Sequence, residues 1–143
     1  MSSDPVLRAA AEAAGALLGG SLDAVERVRG FGRNSGVYSV RRDGARYALK
    51  QYPVRRPGER NRAAIETGAL RLIGDHAIGA IPRPVAADPE TGYALLEWIE
   101  GEAVTAPTGG DVAAAGEFLA AIHRLRNERE INDFLANQPR SPS

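Results

Sequence analysis

Lys50 closes the run Tyr47-Ala48-Leu49-Lys50, and upstream of it stand three glycines close together, Gly30, Gly32 and Gly36, with Asn34 and Ser35 between the last two. Glycine takes positive φ without strain and lets the backbone approach a ligand closely, so a segment holding three of them can turn its amides toward one anion. An ammonium nearby adds a point charge of the opposite sign. Phosphate is the anion that fits such a pairing.

The elements that must position these residues follow from one tight turn. Asp43-Gly44, between runs of β-branched and aromatic residues, signals a two-residue type I′ hairpin that pairs Arg42 with Ala45, Ser39 with Ala48 and Val37 with Lys50. Side chains alternate along a strand, so Val37, Ala48 and Lys50 share one face, while Tyr38, Val40, Tyr47 and Leu49 share the other and read as core. The first face then carries a cation under the glycine loop, beside the small apolar pair Val37 and Ala48. A flat base with its phosphates suits that surface.

With loop, hairpin and lysine in this order, the chain resembles the aminoglycoside phosphotransferase and choline kinase-like family, which has the protein-kinase-like fold. The strand ending at Lys50 is similar to the kinase V-A-I-K strand, and Gly32, Asn34, Val37 and Tyr38 match the loop of the small-molecule kinases. Protein kinases carry G-x-G-x-x-G; here one extra residue separates Gly32 from Gly36, and Asn34-Ser35 occupies the tip. The resemblance implies ATP as the ligand. It implies phosphate contacts from Gly30, Gly32, Asn34, Ser35 and Gly36, a base site that includes Val37, Ala48, Leu96 and Trp98, and phosphate positioning by Lys50. The connector Leu-Leu-Glu-Trp-Ile-Glu-Gly resembles the family's hinge, so the carbonyl of Glu97 and the amide of Ile99 are implied to meet the adenine edge. Trp98 either shapes the pocket rim or anchors the core between lobes.

In that family a helix after the strand brings a glutamate to the lysine. Between residues 59 and 74, Ile65, Ala69, Leu72 and Ile73 recur at helical spacing with Glu66 beside them, and Glu66 is the residue carried over. Spacing alone equally allows Glu66 to pair with Arg62 or Arg71 on a wet surface. Lys50 decides between them, because an ammonium on an otherwise apolar face needs a negative partner.

The remaining elements read in order. Asp4-Pro5 starts a packing helix with Leu7, Ala10, Ala14, Leu17 and Leu18 on one face, stopped by Gly19-Gly20. Residues 22–29 read as a first strand. The arginines between Tyr52 and Arg62 read as a solvated connection and not as a nucleic-acid platform, since no aromatic side chains interleave them. Residues 85–88 and 93–99 read as strands turned by Pro89-Glu90-Thr91-Gly92, the second apolar on both faces and hence inside the sheet. Asp111 caps a long helix carrying Val112, Ala115, Phe118, Leu119, Ile122 and Leu125 on one face. His123 on that helix reads as structural and not as a catalytic base, since no acid stands two residues on.

The expected class is α+β: a kinase-like N-lobe with an antiparallel five-stranded sheet and one packed helix, preceded by an N-terminal helix and followed by the first helix of the C-lobe. The divisions are 1–20 for the N-terminal helix, 21–101 for the lobe with its hinge, 102–127 for linker and helix, and 128–143 for a flexible tail. A chain of 143 residues with zero net charge has one modest core and no general pull toward nucleic acid or an anionic membrane. The absence of cysteine excludes disulfides and thiolate metal sites, and a cytoplasmic address fits. No apolar run is long enough to span a bilayer.

Phosphoryl transfer in the resembled family also needs an H-x-D-x-x-x-x-N loop and a second aspartate for Mg²⁺. Neither occurs: His76 is followed by Ala-Ile and His123 by Arg-Leu, and there is no Asp-Phe-Gly-like triplet. The expectation is therefore the ATP-binding part of a small-molecule kinase, inactive alone, with Mg²⁺ bound only in a full-length enzyme. Its helix at 111–125 is expected to be covered by the missing C-lobe or a partner chain. A stand-alone nucleotide-binding or pseudokinase module is the alternative, and a nucleotide-free interaction domain is the third reading.

Overall fold

The computed structural model describes residues 4–28, 36–53, 61–76, 78–102 and 104–137. Helix α1 (Pro5–Leu18) starts where Asp4 accepts hydrogen bonds from the Val6 and Leu7 amides and stops where Gly19 turns to φ 77°, donating to the Gly15 carbonyl. Strand β1 (Ala24–Arg27) follows, then β2 (Gly36–Arg42) and β3 (Ala45–Gln51). Asp43 at φ 50° and Gly44 at φ 81° make the turn between β2 and β3, the two positive values that a type I′ turn requires. The register is the expected one, with Val37 opposite Lys50, Ser39 opposite Ala48 and Arg42 opposite Ala45.

Helix α2 (Arg62–Asp75) is capped by Asn61, whose side chain accepts from the Ala64 amide and donates to the Pro89 carbonyl. That second bond fastens the start of α2 to the turn between β4 (Pro84–Asp88) and β5 (Tyr93–Glu97). The sheet is antiparallel and five-stranded in the order β1-β2-β3-β5-β4. β5 lies inside it, which is why Tyr93, Ala94, Leu95 and Leu96 are all buried.

One face of the sheet, with Tyr38, Val40, Leu49, Tyr93 and Leu95, packs against Ala10 and Ala14 of α1. Those two alanines are fully buried; their small side chains bring the helix axis close to the sheet. The N-terminal helix is thus a main cover of the core as well as a preceding element. The other face carries Tyr52, Ala63 of α2 and Ala94 in a smaller cluster.

Two expectations are corrected. Helix α3 (Gly109–Arg124) is capped by Thr108, not by Asp111, which is the third helical residue and returns the bond to the Thr108 amide as a capping box. Residues 129–136, expected within a flexible tail, form helix α4 (Arg129–Ala136) after a 3₁₀ turn at Leu125–Asn127. Phe134 of α4 packs so closely on α2 that a Cβ at Gly68 would stand 2.9 Å from its ring. No residue of α3 is buried, and Val112 and Leu119 are 66% and 64% exposed.

Candidate nucleotide site

The β2–β3 register and strand alternation place Arg46, Ala48, Lys50 and Tyr52 in a row on the sheet face that α1 does not cover. Val37 lies opposite Lys50, and Leu96 and Ala94 of β5 lie opposite Ala48 and Lys50. The Lys50 ammonium meets both oxygens of Glu66, at 2.8 Å to Oε1 and 2.9 Å to Oε2. Glu66 reaches it from the second turn of α2. The pair is half-open, with side chains 27% and 38% exposed, so a ligand can approach. An ammonium has three donors, and two are used on Glu66.

Tyr52 completes this cluster from the same strand face. Its ring centroid lies 4.9 Å from the Lys50 nitrogen, and its amide donates to the Gly92 carbonyl at 2.8 Å. The Tyr52 hydroxyl is buried beside the Glu66 carboxylate but makes no bond of ordinary geometry among the described residues. Burial first, then weak hydrogen bonding to the Glu66 carboxylate, then its charge, push that phenol well above its ordinary range.

At the other end of the row, Arg46 joins the sheet to the connector. Its Nε donates to Ser39 Oγ at 2.8 Å, its guanidinium lies 3.7 Å from the Trp98 ring centroid, and it reaches Glu100 at 3.4 Å. The indole N–H of Trp98 is buried without a partner among the described residues. Leu96 is buried, Glu97 is exposed with its amide bonded to the Arg83 carbonyl, and the Ile99 side chain is 51% exposed.

The structure therefore brings Val37, Ala48, Lys50, Glu66 and Leu96 to one face and strings Glu97, Trp98 and Ile99 along its edge. Gly36 begins β2; Gly30, Gly32, Asn34 and Ser35 lie outside the described residues. Sequence reasoning missed Tyr52 and Arg46, although both continue the alternation that placed Ala48 and Lys50. It also passed over a compositional signal: Lys50 is the only lysine in a chain whose other cations at neutral pH are arginines. Among the described residues no group of three or more His, Cys, Asp or Glu side chains could hold a metal ion.

A model of the phosphotransferase enzyme family matches residues 25–140. The chain belongs to that family. The match spans the sheet from the second residue of β1 onward, the Lys50–Glu66 pair and the helices after the connector. Among curated proteins there is no match. Among solved structures, a Thermobifida fusca YX-ER1 protein assigned as a fructosamine-3-kinase is similar at 24% identity with a TM-score of 0.57. The likeness covers 78% of this chain and 37% of that protein, and shows a shared kinase-like fold. The phosphotransferase family thus accounts for the architecture, and no helix among the described residues is long and apolar enough to cross a membrane.

Proposed function

We propose that this chain is the ATP-binding lobe of a small-molecule phosphotransferase that moves the γ-phosphate of ATP to a hydroxyl group. The observation that carries the reading is the bidentate Lys50–Glu66 pair on the open sheet face. Glu66 uses two of the three ammonium donors and aims the side chain, which leaves one donor for a phosphate oxygen. Val37, Ala48 and Leu96 give the base an apolar surface, and the connector from Glu97 to Ile99 offers backbone groups at its edge. Gly30, Gly32, Asn34, Ser35 and Gly36 are assigned to the phosphates on sequence grounds.

ATP supplies the transferred group, and in a full-length enzyme Mg²⁺ would offset its charge. The general base and a metal-binding aspartate must then come from outside these 143 residues, so the chain alone transfers little or nothing. A cytoplasmic site of action fits ATP use. The apolar face of α3, exposed at Val112 and Leu119, favours a covering partner, either the second lobe of the same enzyme or another chain. The latter makes the protein a nucleotide-binding module that acts through its partner.

Millimolar ATP should raise the thermal midpoint, since a ligand that binds only the folded state stabilises it by mass action. Lys50→Ala should weaken that response. An unchanged midpoint with ATP refutes nucleotide binding. The coding sequence downstream of Ser143 separates the two forms of the proposal: an H-x-D loop supports the enzyme lobe, and a stop codon supports the module.

A further inference from the structure

We propose that Tyr52 is a positioning residue whose ring face holds the Lys50 ammonium against Glu66, so that the pair stays assembled while the face is open to solvent. Three observations meet here. The ring centroid is 4.9 Å from the Lys50 nitrogen, within the range over which an aromatic face attracts a cation. Tyr52 is only 5% exposed and its backbone is bonded to Gly92, so the ring is a fixed wall and not a mobile surface group. Its hydroxyl is buried beside the Glu66 carboxylate without a bond of ordinary geometry, so the ring face and the hydroxyl are separable contributions that a phenylalanine variant tells apart.

The cluster has a division of labour. Glu66 supplies the charge from α2, and Tyr52 supplies a rigid, weakly negative surface from the end of β3. A lysine side chain has four rotatable bonds, and without the ring it has more ways to leave Glu66 for water. In the ATP reading, on which the consequence for phosphate rests, Tyr52 presents the ammonium in one place before nucleotide arrives.

The test exploits the single lysine. Under a limiting amine-acylating reagent, Lys50 and the N-terminal amine are the only aliphatic amines that react, and mass spectrometry separates them. Tyr52→Phe keeps the ring and should be acylated at Lys50 at the unsubstituted rate. Tyr52→Leu should be acylated roughly fivefold faster, the factor an ordinary cation–π contact represents. Progressively fluorinated phenylalanines at position 52 keep the volume and drain the ring face, and should raise the rate in steps.

Leucine and fluorinated proteins that are acylated no faster than the unsubstituted one overturn the proposal, as does a phenylalanine variant that reacts as fast as the leucine one. If the leucine variant does not fold, the fluorinated series decides alone. A missing ATP response in the unsubstituted protein sinks the nucleotide reading, whereas the acylation ratios judge Tyr52 in either case.

Discussion

Removing the charge of Glu66 tests the ion pair at the centre of the site. At 2.8 Å two unit charges attract by about 6 kcal/mol at an effective dielectric of 20 and about 1.5 kcal/mol in bulk water. With side chains 27% and 38% exposed, much of that attraction is offset by lost hydration. Fully exposed pairs are worth about 0–1 kcal/mol, and breaking a buried one costs about 3–5 kcal/mol, so this half-open pair should lie at about 1–2 kcal/mol. Glu66→Gln, Lys50→Met and the double variant close a double-mutant cycle that isolates the coupling. Urea or thermal unfolding is the assay, and each single variant should lower the midpoint by roughly 3–8 °C. A coupling below about 0.3 kcal/mol refutes the reasoning, because the bond would then be a contact without energetic weight.

Other perturbations read other joints. Gly68→Val should displace α4 despite improving the helix propensity of α2, because Phe134 stands 2.9 Å from where the new Cβ would be; hydrogen exchange across residues 129–136 should rise, and unchanged protection contradicts the packing. Arg46→Met removes the guanidinium from the only tryptophan, so emission should shift and acrylamide quenching increase; identical spectra rule out the stack as the link between sheet and connector. The backbone and side-chain hydrogen bonds from Thr108 hold the Asp111 carboxyl below its usual value of 3.8. A depressed carboxylate stabilises the fold above its unfolded value and loses that contribution as pH falls through the folded one. Protection at the start of α3, corrected for the intrinsic pH dependence of amide exchange, should therefore fall in acid, and Asp111→Asn should remove the dependence; pH-independent protection at the start of α3 disproves the capping box.

Much of the site was legible because its positions follow from one turn. Once Asp43-Gly44 fixes a two-residue loop, the register and both faces follow, and Lys50 falls opposite Val37 without further information. The Glu66 partner was less legible: helical spacing left Arg62 and Arg71 as equal candidates, and the resemblance together with the cost of an unpaired ammonium chose Lys50. Tyr52 was missed because the alternation was not extended two residues past the lysine. Helix α4 was missed for a different reason. It is eight residues long with no side-chain cap, and its docking point is a glycine on another helix, which leaves no mark in its own sequence. The role of α1 as a sheet cover likewise depends on Ala10 and Ala14 meeting strands distant in the chain.

The central claim is that the Lys50 amine faces a bound nucleotide phosphate, and this chain allows it to be tested at a single atom. Acylation of Lys50 should be followed with and without saturating ATP, with the N-terminal amine as the internal reference. The account predicts that ATP slows labelling at Lys50 by roughly tenfold or more, as charge-assisted bonding of the ammonium requires, and leaves the N-terminus unchanged. Equal rates at Lys50 with and without ATP would contradict it.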